Sequence, residues 1–335
     1  MRYLVAIIIS TLLLGSCIST KFVTVEIKEP ARITFPPHVV NVVVVDNSYI
    51  PERQADSIQA ASGEIPSDSA RMHLTESLAK YMDEEKFFNE VSYYPNFRRE
   101  YDSLYISLEK NEIINICNRS NADALVSIDR SLIYGSLTSF IDLPEFYQLA
   151  IGTAVDMKAY LSDGTILYSP VIFSDTLFWE GILPGEKGPA YIERLPKIED
   201  AMNEAAEMAA DRLTNIFIPY WRKDERWYYS DNSSEMKKAS ALIQQYKWEE
   251  AATIWGNLYE KEEKPVKKAR LAFNIAFANE CLNDVDNALK WNKTASDILT
   301  EVKNSDFHKH VNEQQKILSV RKRQQLKLQE QYGAE

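Results

Sequence analysis

Histidines are the first side chains to test for chemistry, and the chain has four: His38, His73, His308 and His310. None belongs to a His-Glu-x-x-His or paired-cysteine spacing, and His308 and His310, two apart, would leave a helix on different faces. Metal ligation is therefore not expected. No Gly-x-Ser-x-Gly elbow presents a serine nucleophile. A phosphate site would need glycines between the first strand and the first helix, where the chain carries Asp46-Asn47-Ser48-Tyr49-Ile50-Pro51. The glycines of Gly185-Glu186-Lys187-Gly188-Pro189 read as a surface loop, and Asp284 and Asp286 as solvated turn residues. Cys117 and Cys281 fall on apolar helix sides, which makes them buried structural thiols, with a disulfide between them as the alternative. These absences predict a non-enzyme with no catalytic residue, no metal and no cofactor. Asp46 alone sits where an α/β sheet offers ligands, outside the carboxyl end of a strand. It keeps open a small-ligand-binding protein or an enzyme at the strand ends, with the 47–67 loop as a lid.

Cys17 is the third cysteine, and its surroundings give it a different chemistry. Leu4 to Gly15 is too short for a spanning helix, which takes about 20 apolar residues. It follows Met1-Arg2 and precedes small residues, the order of a secretory signal. Leu14-Gly15-Ser16-Cys17 resembles a bacterial lipobox. That resemblance implies cleavage after residue 16 and a diacylglycerol on the Cys17 sulfur, with residues 17–29 as a tether. Each buried methylene contributes roughly 0.8 kcal/mol, so two or three acyl chains hold a soluble body at a membrane. Ile18, rather than Asp, follows the cysteine, and no acidic cluster comes after it. The expected location is the outer membrane, facing the periplasm rather than the cell surface. With 49 Asp and Glu against 38 Lys and Arg, the chain is not suited to nucleic acid.

The elements after the tether read as two domains, in keeping with 335 residues. Val39 to Asp46 is apolar on both faces and predicts a strand covered on both sides. A helix from Ser67 or Asp68, a strand at 90–94, a helix ending before Ser120 and a strand at 124–129 follow. Two long strands then flank the Asp163-Gly164 hairpin signal, and a helix over 197–217 carries a stripe of Ala201, Ala205, Met208, Ala209, Leu213 and Ile216. The order β-α-β-α-β-β-β-α predicts a mixed sheet with helices over residues 30–225, an α+β or α/β fold. Asn121-Ala122-Asp123 and the Asp163-Gly164 hairpin resemble the sheet domain of envelope proteins such as the curli-secretion lipoprotein and the Tol-system propeller protein. The resemblance implies a fold and a compartment, not an activity.

Residues 226–335 read as a second domain, and between Ser233 and Glu301 there is almost no strand signal. An offset of 37 lays Ala239 on Ala276, Ala251 on Ala288 and Leu258 on Ala295. Asn274 to Trp291, with small residues at Ala276, Ala288 and Ala295 and a turn at Asn283-Asp284, resembles a tetratricopeptide repeat. Tyr246-Lys247 and Leu258 depart from that pattern in the first copy. The expected module is two such repeats and a capping helix from Ser305 with a frayed, charged tail. The family resemblance implies a groove lined by Lys237, Lys267, Arg270, Asn274 and Phe277, a basic-plus-Asn set that suits a peptide carboxylate. Two repeats fall short of the usual three, so the module is expected to dock on the α/β domain or a partner. As a whole the chain resembles uncharacterised bacterial envelope lipoproteins classed as a domain of unknown function. The implied role is a non-enzymatic, lipid-anchored scaffold or assembly factor that binds an envelope protein or peptide.

Overall fold

The structure, a computed structural model, describes residues 19–48, 65–66, 68–95, 107–140, 142–183, 185, 193–303 and 305–333. The signal segment, Cys17 and most of the expected 47–67 lid lie outside the described residues. The chain forms two compact units, one of Ala31–Pro219 and Gln331–Glu335, the other of Met1–Pro30 and Tyr220–Glu330. No helix among the described residues is long and apolar enough to cross a membrane.

The first strand, β1 (Ser19–Glu29), belongs to the second unit. The first unit is built from β2 (Asn41–Asp46), β3 (Ile65–Pro66), α1 (Asp68–Glu84), β4 (Glu90–Tyr94), α2 (Lys110–Ser120), β5 (Ala124–Phe140), β6 (Leu143–Leu161), β7 (Ile166–Gly181) and α3 (Ile198–Phe217). Its sheet runs β4-β2-β5-β6-β7, with β3 paired to β5. The strands β4, β2 and β5 are parallel, while β5, β6 and β7 are antiparallel, so the sheet is mixed. Val42 to Val45 are all fully buried because both faces of β2 are covered: Val42 and Val44 pack with Leu74 and Leu78 of α1, Val43 and Val45 with Ile113 and Ile116 of α2.

Local chemistry sets the connections. Asn121 takes the left-handed conformation at the end of α2 (φ 49°), and the Asp123 carboxylate then accepts the amides of Val40 (3.0 Å) and Asn41 (2.9 Å), which fixes the start of β2. Gly164 turns the β6–β7 hairpin at φ +85°, a conformation in which glycine meets no steric cost. Strand β5 runs far past the expected Asp129, because a bulge between Ile128 and Arg130 shifts its register and returns Ile133 to the core side. On α3 the buried stripe includes Met202, Ala206 and Ala210, while the expected Met208 is exposed.

The second unit is a helical region of α4 (Ser234–Ile243), α5 (Trp248–Lys261), α6 (Pro265–Cys281), α7 (Val285–Glu301) and, as far as Glu330, α8 (Ser305–Tyr332), joined by an antiparallel ribbon of β1 and β8 (Tyr220–Ser230). Where a tether was expected at 17–29, Ser19 pairs with Ser230 and the ladder continues to Glu29 and Tyr220. The alternation Val23, Val25, Ile27 is the physical reason, since all three enter the core formed with Ala239, Ala251, Trp255 and Phe277. Helix α8 is continuous to Tyr332 rather than frayed from Leu318 on, and Arg321 donates to the Lys28 carbonyl of β1 at 3.2 Å. Tyr246 and Asn283, at the two helix–helix turns, are 37 residues apart and both left-handed (φ 59° and 60°). Ala239, Ala251, Ala276, Ala288 and Ala295 are fully buried, which lets the helices approach closely.

Asn274 carries the junction between ribbon and helices. Its fully buried amide accepts the Tyr229 N–H and donates to the Tyr229 carbonyl, both at 2.8 Å, as a neighbouring strand would. Replacing it removes two hydrogen bonds and strands two backbone groups, so Asn274→Ala is expected to lower stability by about 2–4 kcal/mol. Urea unfolding of the helical signal, together with lost hydrogen-exchange protection at the Tyr229 amide, checks this.

Candidate functional site

In the α/β unit the chain passes from β2 through α1 to β4, then through α2 to β5 on the other side of β2. The carboxyl end of β2 is thus a topological switch point, where open α/β sheets place ligands. Asp46 stands there. Its carboxylate takes Arg71 Nη1 (2.6 Å to Oδ1), the Ser48 amide (3.0 Å) and the Ser48 hydroxyl (2.8 Å). On the neighbouring strand, the bulge residue Asp129 accepts Asn47 Nδ2 (2.9 Å) and the Ser127 hydroxyl, while its second oxygen lies 3.2 Å from Lys158 Nζ. Burial, with Asp46 and Glu76 nearby, pushes the Tyr93 phenol up. Among the described residues both carboxylates are thus answered by cations and hydroxyls of the chain itself. The arrangement behaves as a structural lock: Arg71→Ala leaves Asp46, 3% exposed, without its cation. That change is expected to cost about 3–5 kcal/mol in urea unfolding monitored within the α/β unit.

In the helical unit the expected groove residues separate into two sets. Asn274 is held by Tyr229, and Phe277 is buried against Tyr228 (ring centroids 5.8 Å apart) and Trp255. One turn further, Glu280 of α6 binds Arg226 of β8 through Nε (3.0 Å) and Nη2 (2.9 Å), and Asp224 takes Nη1 at 2.8 Å. Burial opposes the Arg226 charge, but these carboxylates outweigh it and its pKa is raised. On α4, Ser240 meets Ser230 at 3.0 Å. Strand β8 therefore lies along α6 where the resemblance placed a peptide, and Asn274 and Phe277 are consumed by it. Lys237 is exposed and does not join them.

Lys267 and Arg270 are brought together, in a cavity of about 240 Å³ beside the end of β8. Lys261, from the end of α5, completes a set of three cations. Arg270 is stacked over the rings of Tyr229 (5.1 Å) and Phe307 (5.6 Å), and its buried Nε has no hydrogen-bond partner among the described residues. Burial pushes the Tyr229 phenol up to about 12, although Arg270 pulls it the other way, so at neutral pH that wall is uncharged. Two carboxylates also line the cavity. Asp231 accepts the Ser233 amide (2.8 Å) and Glu262 the Lys264 amide (2.9 Å). No ion pair within 4 Å joins either of them to Lys261, Lys267 or Arg270 among the described residues. Met236, Leu258 and Leu271 supply an apolar wall. The arrangement can hold a carboxylate or similar anion with an apolar group next to it. Lys261 escaped the sequence reading because it lies one helix before the repeat copy that carries Lys267; the signal was the cluster of basic residues on both sides of Pro265.

A second cavity, of about 300 Å³, is walled by Trp227, Phe273 and His310, and its floor is the Arg226–Glu280 pair already satisfied internally. The other histidines make single polar contacts, His73 with Glu207 and His308 with Ser296, and His38 is exposed. Among the described residues no group of three His, Cys, Asp or Glu side chains is placed to hold a metal. Cys117 and Cys281 are unpaired thiols in different units, and burial pushes both up, Cys117 to about 11.

Residues 39–229 match the model of a domain of unknown function, DUF8603, and residues 237–320 match a second, DUF6340. No curated protein matches the chain. The cavity draws on both matches, Tyr229 from the first and its three cations from the second.

Proposed function

The chain belongs to the DUF8603 family, and from its geometry we propose that it is a non-enzymatic, lipid-anchored scaffold or assembly factor of the bacterial envelope. In this reading Cys17 carries the lipid, the outer membrane is the site of attachment, and the body faces the periplasm. The helical region serves as two tetratricopeptide-like repeats with α8 as cap. The 37-residue spacing of left-handed turns at Tyr246 and Asn283 and the buried alanines support that comparison. The repeats do not keep an open groove. Strand β8 occupies it, and binding is left to the end of the groove, where Lys267 and Arg270 remain.

The observation that carries the reading is the cavity of Lys261, Lys267 and Arg270. Among the described residues the three cations have no ion pair within 4 Å, and like charges that line one cavity repel one another. An acidic group from another chain relieves that repulsion, and the wall of Met236, Leu258 and Leu271 accepts the apolar side chain beside that group. The partner class is therefore an envelope protein or peptide that presents an acidic, partly apolar extended segment.

Photo-crosslinking in intact cells tests this, with p-benzoyl-phenylalanine in place of Asn232, an exposed residue at the cavity lip. A reproducible adduct to an envelope protein is expected. The double change Lys267→Ala and Arg270→Ala should reduce its yield about tenfold or more, since each charge-assisted contact contributes roughly 1.5–3 kcal/mol. An adduct that survives the double change in a folded protein would overturn the assignment.

A further inference from the structure

The position of β1 narrows the class of partner. Cys17 precedes Ser19 by two residues, so their Cα atoms are at most about 7 Å apart. Ser19 pairs with Ser230 across the ribbon, and paired residues lie about 5 Å apart. Ser230 itself lines the cavity. A lipid on Cys17 therefore fixes the mouth of the cavity within roughly 15 Å of the attachment point. A flexible tether over 17–29 would instead have given the body an excursion of about 20 Å and free reorientation. Phe22 agrees with this placement. It is 56% exposed near the start of β1, and an exposed aromatic there suits headgroup depth. With a net charge of −11, a loosely tethered chain would be held away from an anionic leaflet; the direct junction of anchor and strand prevents that.

We infer that the cavity of Lys261, Lys267 and Arg270 lies at the surface of the leaflet that holds Cys17, and that the acidic segment it receives belongs to a protein embedded in or anchored to that same leaflet. This rests on lipidation of Cys17 and on the carboxylate reading of the cavity given above. The lysines and Arg270 then meet the stretch of the partner that emerges from the membrane. Confinement to one surface raises the effective concentration of the two chains without any added contact.

The experiment lengthens the junction. Gly-Ser spacers of about 5, 10 and 20 residues are inserted between Ile18 and Ser19, with the photo-crosslinker at position 232 in intact cells. Adduct yield should fall with each step, because a longer spacer lets the cavity leave the layer to which the partner is confined and so lowers the effective concentration there. A yield independent of spacer length would overturn the inference. So would an adduct to phospholipid without a protein adduct, which would make a lipid headgroup the occupant. Mass spectrometry of the N-terminal peptide separates the premises: an unmodified Cys17 overturns the anchor and this inference together. The cavity reading stands or falls separately on Arg270→Ala. Protection of the Tyr229 amide in each spacer variant shows that the ribbon has kept its fold.

Discussion

The helical unit depends on one junction, the attachment of β8 to α6. A two-stranded ribbon is marginal alone in water, and two helical hairpins are fewer than a repeat array normally needs. Each supplies what the other lacks. Val23, Val25, Ile27 and Tyr228 fill the hollow between α4, α5 and α6, and Asn274 satisfies the open edge of β8 where a third strand would. The Arg226–Glu280 pair has a different role. Buried ion pairs add little net stability because desolvation offsets attraction. With the Nε and Nη2 atoms both on one carboxylate, though, the pair admits a single register of the strand along the helix.

Occupation of the groove by the chain's own strand changes what the module can bind. A peptide laid along α6 would have to displace eleven residues of β8, all paired with β1. The end of the groove carries no such penalty. Lys267 and Arg270 lie one to two turns before Asn274 on α6, and the last residues of β8 reach only Tyr229 and Ser230 there. On the proposed reading, the selectivity of such a site would come from a charge and one apolar contact rather than from a long ladder of backbone bonds. Modest, salt-sensitive affinity is the physical consequence.

Much of this architecture was legible in local patterns. The run Val42 to Val45, the Asp163-Gly164 turn, the Asn121–Asp123 corner and the alanines spaced by 37 each reflect interactions between residues close in sequence or identical in environment. The ribbon was not legible, because β1 and β8 are about two hundred residues apart and neither has a neighbour in sequence to announce its pairing. Trp221 to Ser230 also mixes charges with aromatics: Arg226 is paired inside while Trp221 is 64% exposed, which reverses the usual polarity of a strand. The same gap explains the site. Lys267 and Arg270 could be placed on one helix side from spacing alone, but whether Asn274 faced a ligand or a strand depended on β8.

The misplaced tether and the filled groove share a cause. A segment that reads as a spacer is instead the strand that seals the helical core. Any change that loosens β1 alters the core through Val23, Val25 and Ile27. Load applied at Ser19 would pass along the β1–β8 ladder to Asn274 and the Arg226–Glu280 pair, in shear across many hydrogen bonds at once.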